Sequence, residues 1–162
     1  MARCPAPYAG AVDEEEWARR RREAAAVHAD RLRRRQEAEH ARAGRLLREF
    51  AAVARHRLPP EQLRVRGYDG RTTARSDVTG WYLRTDRSAG LSTTGEFYVL
   101  TGPLGLVDRL RGVTLRPAPP PMVLGAGGKD GESVDLPVAL ERLLPGWRER
   151  GAGASPPPDA RS

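Results

Sequence analysis

The sequence predicts an α+β fold: a long N-terminal α-helix, a small antiparallel β-sheet and a short C-terminal helix. Three observations predict it. Residues 14 to 57 contain no proline and a single glycine, Gly44. Residues 61 to 135 consist of short runs rich in β-formers, separated by turn residues. Leucines then return at helical spacing, at Leu136, Leu140, Leu143 and Leu144.

Residues 1 to 12 hold two prolines and a glycine and read as a disordered arm. "DEEEW" opens the helix of residues 13 to 58. Asp13 can cap free backbone N–H groups, with Glu16 three residues on as a capping box requires. The glutamates lie at the positive end of the macrodipole. A helix over residues 14 to 57 would be about 65 Å long. Pro59 and Pro60 stop it.

The two halves of that helix differ. Ala43, Leu46, Leu47, Phe50, Val53 and Ala54 form an amphipathic face that should dock on a core. Upstream, only Trp17, Val27 and Leu32 are sizeable apolar groups. Heptad positions 18, 25, 32, 39, 46 and 53 read Ala, Ala, Leu, Glu, Leu, Val, a poor coiled-coil seam with a charge in it. The first half is therefore a projecting solvated helix or one side of a weak coiled coil. Pairs such as Glu16–Arg20 and Asp30–Arg34 can support it without a partner.

A small α+β domain is expected over residues 59 to 148. "LRVRGY", "VTGWYLR" and the runs around Thr94-Gly95 read as strands. "PPPMVLG" and "GGKDGESVDL" give another pair, with Asp130-Gly131 as the strongest hairpin turn. "GPLGLVDRLRGV" allows a short helix, Leu104 to Leu110, that packs Leu106, Val107 and Leu110. Asp135 is a candidate N-cap for the last helix, Pro137 fits its first turn, and Pro145-Gly146 ends it. Residues 149 to 162 read as a disordered tail.

The chain has 162 residues and a net charge of +7. Of its 28 basic residues only Lys129 is a lysine. With abundant Ala, Gly and Pro, that skew is what GC-rich codon usage produces. The charge is also diffuse: residues 13 to 57 carry 13 basic and 9 acidic groups, and residues 58 to 150 carry 13 and 11. One cysteine, Cys4, excludes an intrachain disulfide and a cysteine zinc cage. No apolar region follows the start, as a signal peptide requires, and no run is long enough to span a bilayer. A cytoplasmic protein is expected, with no membrane partner.

Catalytic motifs are missing. His28, His40 and His56 are spaced by 12 and 16, unlike an i, i+4 metal pair, and read as exposed helix residues. "GAGGKDGES" fails as a phosphate loop: Val123 stands where its first glycine belongs, and Asp130 follows the lysine. Asp77, Asp86 and Glu96 stand beside turns, where carboxylates are common. No enzyme, metal or cofactor is expected.

Residues 80 to 102 hold four of the nine aromatic residues. Strand alternation groups Leu63, Val65, Trp81 and Leu83 on an inner face with the Phe97 strand. The helix face around Leu47 and Phe50, or the C-terminal leucines, covers it. The opposite face shows Arg64, Arg66, Tyr82 and Arg84. A basic face carrying an aromatic is how many modules bind single-stranded nucleic acid, although an ordinary solvated face reads the same way.

At "GWYLRTDRSAGLSTTGEFYVLT" and "VLGAGGKDGESVDL" the chain resembles an uncharacterised family of small helix-plus-β proteins from high-GC Gram-positive bacteria. That resemblance implies the helix-plus-sheet layout and a bacterial cytoplasmic setting. It implies no activity, ligand or site residue. The leading expectation is a non-enzymatic interaction or scaffold module. Its helix would use Trp17, Val27 and Leu32 to engage a protein partner or a second copy, as a homodimer. The alternative is an arginine-rich nucleic-acid or ribosome-associated protein using Arg64, Arg66, Tyr82 and Arg84.

Overall fold

The computed structural model describes residues 10–125 and 133–152. The start of the expected arm, the Asp130-Gly131 turn and the tail from residue 153 lie outside the described residues. The architecture is α+β, with a long first helix, a mixed sheet and short C-terminal helices.

Helix α1 runs without a break over Gly10–Ala54. It starts earlier than Asp13, so Asp13 is not the N-cap. Ala11 and Val12 already belong to the helix, and Asp13 lies within its first turn, where its charge still meets the positive end of the dipole. The helix ends three residues before residue 57. There the bonds His56 N–H to Val53 O (3.2 Å) and Arg57 N–H to Ala54 O (2.9 Å) tighten the backbone ahead of Pro59 and Pro60.

The chain divides into two compact units, Met1–Ala38 and Glu39–Ser162. The described part of the first is helix alone, with Asp13 to Ala38 almost wholly exposed. The second begins with the last turns of α1. Ala43, Leu47, Phe50, Ala51 and Ala54 are all buried there, on the face expected to dock.

The second unit continues with β1 (Glu61–Gly67), β2 (Thr73–Tyr82), β3 (Ala89–Ser92), β4 (Phe97–Val99) and β5 (Thr101–Gly102). Their order is β4-β3-β2-β1-β5. Three pairings are antiparallel, but β5 joins β1 in parallel, so the sheet is mixed. The two outermost strands are one stretch of chain, separated only by Leu100. Leu100 donates its N–H to Ser88 O (2.9 Å) on one side, and its carbonyl accepts from Arg66 N–H (2.8 Å) on the other. The sheet thereby closes on itself as a small barrel, and closure leaves no long free edge.

Closure splits the core in two. Leu63, Val78, Tyr98 and Leu100, with Tyr82 and Leu115 against them, fill one cluster. Trp81, Leu83, Ala89, Leu91 and Phe97 join α1 in the other. The expected single face holding Leu63, Val65, Trp81 and Leu83 is therefore not formed. The cause is the register: Glu61 pairs with Gly80 and Gln62 with Thr79, so Leu63 shares a face with Val78 and Tyr82 and not with Trp81. Beyond these pairs lies a bulge, where β2 spends three residues against one of β1 before Arg64↔Arg75; the two extra residues leave the faces unchanged. Ser76 Oγ donates to Leu63 O at 2.8 Å, so the β1 carbonyl opposite the bulge is satisfied. In the larger cluster Phe50 meets Trp81 edge-on, with centroids 6.4 Å apart, and Trp147 at 5.3 Å.

Helix α2 (Leu106–Arg111) corrects another expectation: it begins two residues late and buries none of its side chains. Leu106, Val107 and Leu110 are 76, 62 and 88% exposed. A six-residue helix held at its ends has no core beneath it to receive them. Strands β6 (Val123–Leu124) and β7 (Val134–Asp135) form the second hairpin as a separate two-stranded sheet. Helix α3 (Leu136–Leu143) has Asp135 as N-cap and Pro137 in its first turn, and it buries Leu136 and Leu140. Gly146, at φ +70°, turns the chain into α4 (Trp147–Ala152). That helix occupies part of the segment expected as tail.

Candidate functional site

On α1, Trp17, Val27 and Leu32 are 59, 52 and 46% exposed. The Arg21 guanidinium lies 4.4 Å from the centre of the Trp17 ring, one turn away, and so covers one of its faces. Both ion pairs expected from spacing are formed, Arg20–Glu16 at 2.6 Å and Arg34–Asp30 at 2.9 Å. Such pairs contribute about 0.2–0.5 kcal/mol each. They hold the helix and leave the three apolar side chains in water.

The four residues of the alternative surface part company. Arg64 and Arg66 are exposed on β1. Arg66 Nε donates to Gly70 O at 3.1 Å, within its own hairpin. Tyr82 is half-buried against the small barrel cluster, and its hydroxyl accepts from Arg64 N–H at 3.0 Å. Arg84 is clamped on Asp86, Nη2 to Oδ2 at 2.9 Å. That guanidinium holds the Asp86 carboxyl down at about 2, with Ser88 assisting. Arg64 finds different company: Arg75 stands directly opposite it on β2. Sequence reading missed Arg75 because the bulge sets that register. Only a residue count across both strands could have shown it.

The remaining candidates are occupied structurally. Asp77 Oδ1 accepts from Leu115 N–H at 2.9 Å. Glu96 accepts from the Tyr98 hydroxyl at 3.1 Å, while burial, with Glu96 adding to it, raises that phenol above its ordinary value. His40 is not an exposed helix residue: it is half-buried, with Nδ1 3.0 Å from Pro120 O. In the tautomer protonated at Nδ1 it donates that bond. Glu39 reaches the same segment, accepting from Met122 N–H at 3.3 Å. Among the described residues no group of three His, Cys, Asp or Glu could hold a metal ion. No described helix is long and apolar enough to cross a membrane. No family model, no curated protein and no solved structure matches this chain.

Proposed function

We propose that the protein is a non-enzymatic interaction module in which residues 13–38 of α1 engage a second helix, from a protein partner or another copy. Trp17, Val27 and Leu32 are its apolar anchors. The observation that carries this reading is the exposure of Trp17, at 59%, on a helix with no buried side chain from Asp13 to Ala38. A helix polar on most of its surface needs many internal pairs or a partner. An exposed tryptophan among charges is the kind of residue that dominates interfaces once covered. Glu and Arg around it supply charge pairs for orientation. The barrel unit anchors the helix by its docked half.

The test keeps the whole chain. Trp17→Ala with Leu32→Asp should abolish self-association in light scattering, or partner capture from host lysate. The far-ultraviolet spectrum should stay unchanged, because these side chains contact no core. Wild-type protein that is monomeric and captures nothing would end this reading.

A further inference from the structure

The outer face of the β1–β2 ribbon carries charge that the fold does not neutralise. Arg64 and Arg75 are directly opposed in the register, and Arg66 faces Thr73. All four side chains are exposed. Like charges directly opposite in a ladder destabilise it. Helix α2 adds Arg109 and Arg111 from its last turn. Arg64, Arg75, Arg109 and Arg111 line one pocket of about 350 Å³, with Thr73 between them.

Among the described residues, ion pairs form at Arg20, Arg33, Arg34 and Arg84, and none forms at these four arginines. Three aspartates near them in sequence accept backbone N–H bonds. Asp108 accepts from Gly105 N–H at 2.8 Å, Asp77 from Leu115 N–H, and Asp69 from the Arg71 and Thr72 N–H groups. The pocket wall is also fixed. Gly112 has φ +86°, and a Cβ there would stand 3.0 Å from Arg75 O. Val113 N–H donates to that same oxygen at 2.8 Å. Any other residue at position 112 would be strained and would push α2 away from β2.

We propose that this pocket binds phosphate groups of a single-stranded nucleic acid. Guanidinium forks match phosphate oxygens two at a time, and four of them around one concavity favour an anionic ligand over a neutral one. Arg64 and Arg66 repeat along the ribbon at about 6.7 Å, comparable to successive phosphates of an extended strand. A chain of phosphates therefore fits better than a single one. Tyr68, 77% exposed where β1 turns into β2, offers a ring on which a base can stack. This site is separate from the helix and stands or falls without it.

The experiment uses the full-length protein and a fluorescein-labelled oligothymidylate, read by anisotropy. Binding should appear at low salt and weaken steeply between about 50 and 200 mM. Arg75→Gln with Arg109→Gln should weaken it at least about tenfold and flatten the salt slope by about 0.7 for each phosphate no longer neutralised. Its melting temperature should be unchanged or raised, because an opposed like-charge pair is removed. Arg64→Gln gives the same reading from the other strand if that variant does not fold. Arg55→Gln with Arg57→Gln removes equal charge elsewhere and should leave affinity near wild type. Equal loss in that control, or full affinity in the pocket variant, would overturn the site. Saturable binding of a nucleoside triphosphate without the oligonucleotide would overturn the strand and assign the pocket to a free phosphorylated compound. Binding only to phosphatidylglycerol vesicles would overturn it in favour of a lipid surface contacted by Leu106, Val107 and Leu110.

Discussion

Phe50 is wholly buried between two tryptophan rings, so its side chain is packed on every side. Phe50→Ala should cost about 3–5 kcal/mol in chemical denaturation, the range for an aromatic core truncation. Gly80 is a sharper case. It pairs with Glu61 on one side and Ser92 on the other. A Cβ at that position would fall 1.8 Å from Leu91 O, on backbone that cannot swing aside. Gly80→Ala should cost about 3 kcal/mol or more, or prevent folding. Gly102→Ala, where a Cβ meets nothing within 4 Å, should stay within about 0.5 kcal/mol. Asp86 gives a pH signature. Its carboxyl is lowered from 3.8 to about 2, so its contribution is full above the unfolded value and fades as pH falls from about 4 to 2. Asp86 is 45% exposed, so screening reduces that contribution to about 1 kcal/mol. Thermal melts of wild type and Asp86→Asn should differ near neutral pH and converge at about pH 2.

At the scale of elements, α1 was the most legible part of the chain. Its lack of proline, its docked stripe and its i, i+4 pairs all follow from spacing, which a helix converts directly into position. The docked stripe is anchored by Ala43, Leu47 and Phe50, and Glu39 and His40 also meet the segment around Pro120 and Met122. Removal of residues 1–38 should therefore leave the barrel unit folded, with the same near-ultraviolet spectrum and melting temperature. A cut after residue 42 would also remove Glu39 and His40 and should lower that temperature by a few degrees. Helix α2 was legible as a helix and misleading as a core element. Leu106, Val107 and Leu110 have the right periodicity, but periodicity says nothing of whether a surface lies beneath.

For the molecule as a whole, the α+β class and the C-terminal leucine face that joins the α1 core could be read from the sequence, and the barrel could not. Closure depends on Leu100 bonding in two directions, and the β1–β2 register decides which residues share a core. Both are pairings between distant segments, and alternation within one strand carries no trace of them. For the same reason the arginine pocket was out of reach: Arg64, Arg75 and Arg109 meet only after register and bulge are set. Leu100 has one more consequence, which concerns time. The first strand, β1, finds its second neighbour in β5, the last strand of the barrel. During synthesis the barrel cannot complete until Gly102 has left the ribosome, and until then the outer edge of β1 stays open to other strands. Once closed, no strand has an end strand's freedom to peel away. Amide protons of β1 to β4 should then exchange together, through one cooperative opening, whereas those of residues 13–38 exchange early and independently. Hydrogen-exchange mass spectrometry would separate the two classes, and graded exchange from one strand to the next would show that the ring opens piecemeal.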